Sequence, residues 1–154
     1  MRHAKADRPP GVADRDRPLA ESGRRDAASI GSALARLRPA PSLVASSPAR
    51  RALETATTVV AAAGWVEPQV YPALYRKGVD DVLGVIESSD SEVMLLVGHE
   101  PTWSATVSAL TGASVSMVTA AVVAIEVPGR PGMGATGSLV WMLTPHLVAG
   151  RPPW

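Results

Sequence analysis

Val93-Met94-Leu95-Leu96-Val97-Gly98-His99-Glu100-Pro101 is the stretch whose reading decides the fold. Its first five residues are apolar without alternation, as expected where both faces of a strand are covered by helices. Gly98 to Pro101 turn the chain, and the next segment carries Trp103, Val107 and Leu110 on one side at helical spacing. His99 therefore stands at the C-terminal end of a buried strand and just before a helix, where open α/β sheets place their ligands. The bland alternative is a histidine that only caps a turn.

Toward the N-terminus, Ser42-Leu43-Val44-Ala45-Ser46 is a second short apolar run bounded by prolines, and reads as another buried strand. Ser47-Pro48 reads as a serine cap followed by proline at the first helical position. Leu53, Ala56, Val60 and Ala63 point one face of that helix inward, and Gly64 ends it. Ala20 to Leu37 is also helical, with Ala27, Ile30, Leu34 and Leu37 at spacings of three and four, until Pro39 and Pro41 stop it. Residues 7–18 are polar and rich in turn formers, hence a loop. Residues 69–71 form a short strand, 79–86 a helix, and 120–127 and 138–143 the last two strands, joined by a Gly- and Pro-rich turn over 128–137. Strands alternating with helices indicate a layered α/β sheet.

A chain of 154 residues fits one domain, here 1–150, with 151–154 as a C-terminal tail. Alanine and valine supply most of its apolar content and phenylalanine is absent, which suits closely packed helix–sheet layers. The net charge of +1 and the 4% aromatic content argue against nucleic acid as a partner. Cysteine is absent, which excludes a disulfide framework, a thiolate zinc site and a thiol nucleophile. Three scattered histidines without ligand spacing indicate no metal, and no cofactor is expected; His146 reads as a bystander. No apolar run is long enough to span a bilayer and no signal-peptide pattern opens the chain, so a cytoplasmic protein with no membrane partner is expected. Arginine crowds the first third of the chain. Most of these residues read as a solvated surface, with a few converging on an anion.

Three segments carry candidate chemistry. The first is the turn at His99. In the second, Ser46-Ser47-Pro48-Ala49-Arg50-Arg51-Ala52 follows a buried strand and opens a helix, a junction whose free N–H groups favour an anion. An arginine one turn into such a helix can grip phosphate oxygens in bidentate fashion, but spacing does not choose between Arg50 and Arg51. The third is Arg2-His3, weak when taken alone.

Together these segments resemble the histidine phosphatase superfamily, its phosphoglycerate-mutase-like branch, and within it the small SixA-type phosphohistidine phosphatases. Arg2-His3-Ala4 resembles the family's Arg-His-Gly/Ala signature. Arg17-Pro18-Leu19 with Gly23 resembles the entry to its first helix. Ser47-Pro48-Ala49-Arg50-Arg51-Ala52 resembles the Ser-Pro-x-x-Arg-Ala motif, which selects Arg51, and Val97-Gly98-His99-Glu100-Pro101 resembles the second-histidine segment. The resemblance implies a three-layer α/β/α sandwich with a mostly parallel central sheet. It implies that His3 accepts the phosphoryl group while Arg2, Arg51 and His99 hold and neutralise it, with Arg17 as a further substrate contact. The implied activity is a phosphatase working through a phosphohistidine intermediate on a phosphohistidine-bearing protein. A small phosphorylated metabolite, or phosphate binding without turnover, are the alternatives. Elementary chemistry agrees: a neutral imidazole offers one lone pair for in-line attack when its other nitrogen is held, and phosphoryl transfer asks mainly for positioning and charge stabilisation.

Two features depart from the family pattern. No equivalent of the acid that protonates an ester leaving group stands out: Asp80 and Asp81 read as helix-start residues and Glu100 is a weaker candidate. A phosphohistidine, whose leaving group is an imidazole, demands less of such an acid. Only Met1 precedes Arg2-His3, where the family runs a central strand into the pair. Either a true start upstream or a depleted sheet with unpaired strand edges is expected, and with Met1 as the first residue His3 would rest on a frayed terminus.

Overall fold

The computed structural model describes residues 1–128 and 137–150. The turn expected over 128–137 falls mostly, and the tail 151–154 wholly, outside the described residues. The elements in chain order are α1 (Glu21–Leu34), β1 (Leu43–Ser46), α2 (Arg50–Ala63), β2 (Gln69–Val70), α3 (Val79–Glu87), β3 (Met94–Val97), α4 (Thr102–Thr111), β4 (Val122–Glu126), β5 (Ser138–Leu143) and α5 (Pro145–Val148). Short 3-10 turns lie at Asp14–Asp16 and Pro72–Leu74.

β2, β1 and β3 form a parallel sheet in that order, with Leu43 to Ser46 in register with Met94 to Val97. All four residues of β1 are buried. Because side chains alternate across a strand, its two sides feed different cores. Val44 packs with Ile30, Leu34, Val59 and Val60 of α1 and α2, whereas Leu43 and Ala45 pack with Val82, Val85, Trp103 and Val107 of α3 and α4. Helices thus cover both faces of the sheet, giving the expected three layers.

β4 and β5 make an antiparallel pair, and residues 1–3 join it to the parallel sheet. Arg2 bridges Gly98 in parallel; the amino group of Met1 donates to Leu96 O at 2.8 Å, Gly98 N donates to Met1 O, and His3 N to Gly98 O. On the other side Arg2 N donates to Ala121 O and Ala120 N to His3 O. Trp103 Nε1 also donates to Met1 O. The segment is therefore clamped between the end of β3 and the residues just before β4, and His3 does not rest on a frayed end. Burial lowers the Met1 ammonium pKa to about 5, with the charge of Glu100 pulling the other way. Beside Met1 a groove of about 1030 Å³ separates β3 from β4, lined among others by Leu96, Trp103, Val123 and Trp141. Among the described residues β3 pairs only with β1 and β4 only with β5.

Three boundaries differ from expectation. α1 stops at Leu34 rather than Leu37, because Arg38 folds back to donate from Nη1 to the carbonyls of Ala35 and Leu37; Leu37 is exposed. Arg38 precedes a proline, which disfavours helical backbone there. α2 starts at Arg50 rather than Pro48, with extended Ala49 before it, and its inward face is Ala52, Thr55, Ala56, Val59 and Val60. β4 starts at Val122, because Ala120 takes a left-handed conformation (φ 61°) that ends the extended run. Two glycines are demanded by close approach. A Cβ on Gly23 would lie 2.1 Å from Lys5 O, where α1 crosses the segment after His3, and one on Gly98 would meet the Trp103 ring at 2.8 Å. Among the described residues no helix is long and apolar enough to cross a membrane.

Candidate active site

The site forms at the C-terminal ends of β1 and β3, beside the clamped residues 1–3. His3 leaves the Gly98 bridge with its imidazole partly buried, and Nδ1 lies 2.7 Å from Ala4 O. A carbonyl can only accept, so Nδ1 carries the proton and Nε2 keeps its lone pair. That lone pair faces Arg51, whose Nε donates to His3 Nε2 at 3.2 Å. Arg51 comes from the first turn of α2 and is 7% exposed, which fixes the choice between the two arginines: Arg50 lies outside and pairs with Glu54. Thr55, fully buried, ties the two halves together. Its hydroxyl donates to Arg51 O at 2.6 Å and accepts from Ala4 N at 3.0 Å.

His99 follows β3. Its ring lies 5.1 Å from that of His3 between centroids, and Arg51 Nη2 approaches His99 Nδ1 at 3.4 Å. An arginine only donates, so Nδ1 accepts and the His99 proton sits on Nε2, from which it is donated to Ser47 Oγ at 2.8 Å. This bond explains why α2 begins late: Ser47 serves His99 and the Ala49 N–H rather than a helix end. Tyr75 packs its edge against His99 at 5.6 Å, and Arg76, held at φ 53°, lies over the Tyr75 ring.

Both imidazoles are held neutral. Burial, followed by the charges of Arg51, Arg2 and Arg17, lowers the His3 pKa to about 4 against an opposing bond to Ala4 O. Burial, then His3, Arg51 and Arg2, lowers that of His99 to about 3, with Asp14 opposing. Arg2 therefore acts on both rings electrostatically; its Nη1 donates to Met117 O at 2.7 Å and its buried Nε makes no hydrogen bond. Arg17 reaches the site through Asp14. It donates to Asp7 O at 2.9 Å and to Asp14 Oδ1 at 3.1 Å.

Asp14, from the loop before α1, is the carboxylate at the centre. Burial works to raise its pKa, but hydrogen bonds and charge from Arg17 and Arg51 outweigh it and bring it down to about 2. A cleft of about 460 Å³ opens here, lined by Asp14, Arg51, Tyr75, Arg76, His99 and Glu100 among others. His3 does not line the cleft itself, since Arg51 covers its Nε2. Asp80 and Asp81 lie in the first turn of α3, where Asp81 accepts from Gly78 N, and Glu100 accepts from Ser104 Oγ at 3.0 Å. His146 is exposed on α5.

Sequence reasoning named His3, Arg2, Arg51, His99 and Arg17, and the structure brings the first four together with Arg17 one contact further out. It did not single out Asp14, Ser47, Thr55 or Tyr75. Ser47 opens the Ser-Pro-x-x-Arg-Ala stretch, but Asp14 sits in a polar loop with no periodicity to mark it.

A family model described as histidine phosphatase superfamily (branch 1) matches residues 1–76. An uncharacterized protein of Mycobacterium tuberculosis is 40% identical over 123 residues, spanning 79% of this chain and 75% of that one. The structure of a SixA from Nakamurella multipartita, assigned provisionally as a phosphohistidine phosphatase, superposes with a TM-score of 0.81 at 28% identity, covering 94% of this chain and 93% of that one. The protein histidine phosphatase SixA complexed with tungstate shares the fold, with a TM-score of 0.84 at 22% identity over 96% of each chain.

Proposed function

The chain belongs to the histidine phosphatase superfamily, and from that premise we propose that it is a SixA-type phosphohistidine phosphatase in which His3 carries the phosphoryl group. The observation that supports this most is the contact of Arg51 with both imidazoles, Nε on His3 Nε2 and Nη2 on His99 Nδ1.

In the first step the Nε2 lone pair of His3 attacks phosphorus, in line with the leaving nitrogen of the substrate. The new N–P bond forms as the old one breaks, and the substrate imidazole leaves with a proton taken from solvent. In the second step water attacks phosphorus, the His3 N–P bond breaks, and inorganic phosphate departs, leaving His3 neutral. The bond from His3 Nδ1–H to Ala4 O keeps Nε2 the reactive nitrogen and stabilises the charge that develops on the ring. Arg51 donates to the equatorial oxygens, and His99, whose one N–H is given to Ser47, joins it on taking up a proton at Nδ1. The unpartnered Nε–H of Arg2 is the kind of donor that a phosphoryl oxygen satisfies, and Arg17 contributes from outside through Asp14.

The substrate assignment follows from proton supply. Asp14 is ionised throughout the working pH range and is no proton donor. Asp80 and Asp81 lie in the first turn of α3, outside the residues that line the cleft, and Glu100 accepts from Ser104 Oγ. An imidazole leaving group needs less acid catalysis than an alkoxide, so a phosphohistidine-bearing protein fits better than a phosphate ester. A cytoplasmic location belongs to the same proposal, consistent with a sequence that lacks cysteine. A panel of phosphohistidine protein, phosphoserine peptide, sugar phosphates and nucleotides tests the reading. The highest kcat/KM is expected on phosphohistidine. A preference for an ester transfers the activity to small-molecule substrates, and binding of tungstate without hydrolysis of any panel member leaves a phosphate-binding module.

A further inference from the structure

We infer that Asp14 is an internal anion that holds Arg51 across His3 and competes with the phosphoryl group for that guanidinium, so that substrate enters by displacing it. This rests on the proposed role of Arg51 as the grip on the phosphoryl group.

The donors of Arg51 are engaged within the protein on all three nitrogens. Nη1 donates to Asp14 O at 2.5 Å, Nη2 to Asp14 Oδ2 at 3.2 Å and to His99, and Nε to His3. A phosphoryl group that needs two parallel N–H bonds from one guanidinium finds the fork already held by Asp14, its backbone carbonyl on Nη1 and its carboxylate on Nη2. The Nε–H of the same guanidinium covers the lone pair of His3, which is why His3 does not line the cleft. In this arrangement the nucleophile is covered and the anion site is filled by the protein's own charge.

The two partners differ in freedom. The Arg51 side chain is 9% exposed and anchored in α2, whereas that of Asp14 is 39% exposed on a 3-10 turn with no buried residues. Asp14 also has other partners to fall back on. Its Oδ1 accepts from Arg17, and its Oδ2 faces Tyr75 Oη at 3.4 Å and Arg76 at 3.5 Å. A carboxylate leaving Arg51 thus keeps a guanidinium on one side and need not return to water alone. A phosphoryl dianion outcompetes it by carrying more charge and more acceptor oxygens. After the second step, return of Asp14 to Arg51 helps expel inorganic phosphate, whose slow departure would otherwise limit turnover.

Asp14→Asn tests this, because it removes the charge while leaving an oxygen for Arg17 and the backbone carbonyl for Arg51. Calorimetric titration with tungstate should show Kd falling about tenfold, the order expected when a competing charge-assisted hydrogen bond is removed. The inhibition constant for inorganic phosphate should fall in proportion, and Asp14→Glu should restore the weaker wild-type value. Asp14→Ser serves as a second neutral variant, and melting curves confirm that each protein is folded. Tungstate binding no tighter in the folded neutral variants than in the wild type overturns the inference. Arg51→Ala separates it from the reading beneath: wild-type tungstate affinity in that variant overturns the role of Arg51 itself. Loss of binding in Arg51→Ala with no gain in Asp14→Asn overturns only the role of Asp14.

Discussion

His99 Nε2 lies 2.8 Å from the hydroxyl of Ser47, a fully buried residue at the end of β1. The bond runs between the two adjacent parallel strands that build the site, and it sets the His99 tautomer by holding the proton on the nitrogen away from Arg51. Ser47→Ala leaves that N–H without its partner. We expect kcat/KM to drop by about tenfold and the melting temperature to fall, because a buried donor left unsatisfied costs about 1–3 kcal/mol. Nitrogen NMR of the imidazoles should show His99 losing its single tautomer. Unaltered kinetics and spectra would remove Ser47 from the site.

The neutral imidazoles couple stability to pH. In the unfolded chain both titrate near the ordinary value of about 6.5, whereas in the folded protein His3 titrates at about 4 and His99 at about 3. Between these limits the unfolded state binds more protons, so acid favours unfolding. Their effect on stability is constant above the unfolded pKa and turns destabilising as pH falls through the window. Each withheld proton gives a slope of about 1.4 kcal/mol per pH unit. Urea titrations from pH 7 to pH 4 should show stability falling, with a shallower slope in His99→Asn. A slope unaffected by that substitution would contradict the assigned shift.

Gly23 packs its Cα against the backbone of Lys5, two residues beyond His3. Gly23→Ala sets a methyl carbon 2.1 Å from a carbonyl oxygen, and α1 or the Lys5 segment must move. Overpacking of this kind costs about 1–3 kcal/mol. We expect that loss in urea denaturation together with reduced turnover, because the displaced segment carries the Ala4 carbonyl that orients His3. Full stability would show that the crossing is looser than described.

The strands were legible where burial on both faces removes alternation. Val93–Val97 and Leu43–Ala45 are apolar throughout, and the helix Val79–Ile86 and strand Ser138–Leu143 lie close to their observed limits. The inward face of α1 followed from Ala27, Ile30 and Leu34, but its end did not, because Arg38 closes the helix with its own side chain. The start of α2 departs from its local signal for a related reason. Ser-Pro is a sound local cap signal, and a tertiary partner, His99, claimed the serine. Arg51 could be chosen over Arg50 only through the family motif, since neighbouring arginines at a helix start are equivalent until Glu54 and the fold separate them. Asp14 left no local trace. Its role comes from three arginines distant in sequence or facing it across a turn, and no spacing rule connects Asp14 to Arg51 or Arg76.

The central claim is that phosphorus is transferred to Nε2 of His3. The direct measurement is to mix the protein with a phosphohistidine substrate, quench in alkali, where phosphohistidine survives, and map the adduct by mass spectrometry and phosphorus NMR. An acid-labile phosphoryl group on His3, bonded to Nε2 and absent in His3→Ala, is the result predicted. An adduct on another residue, or one undiminished in His3→Ala, would contradict the account.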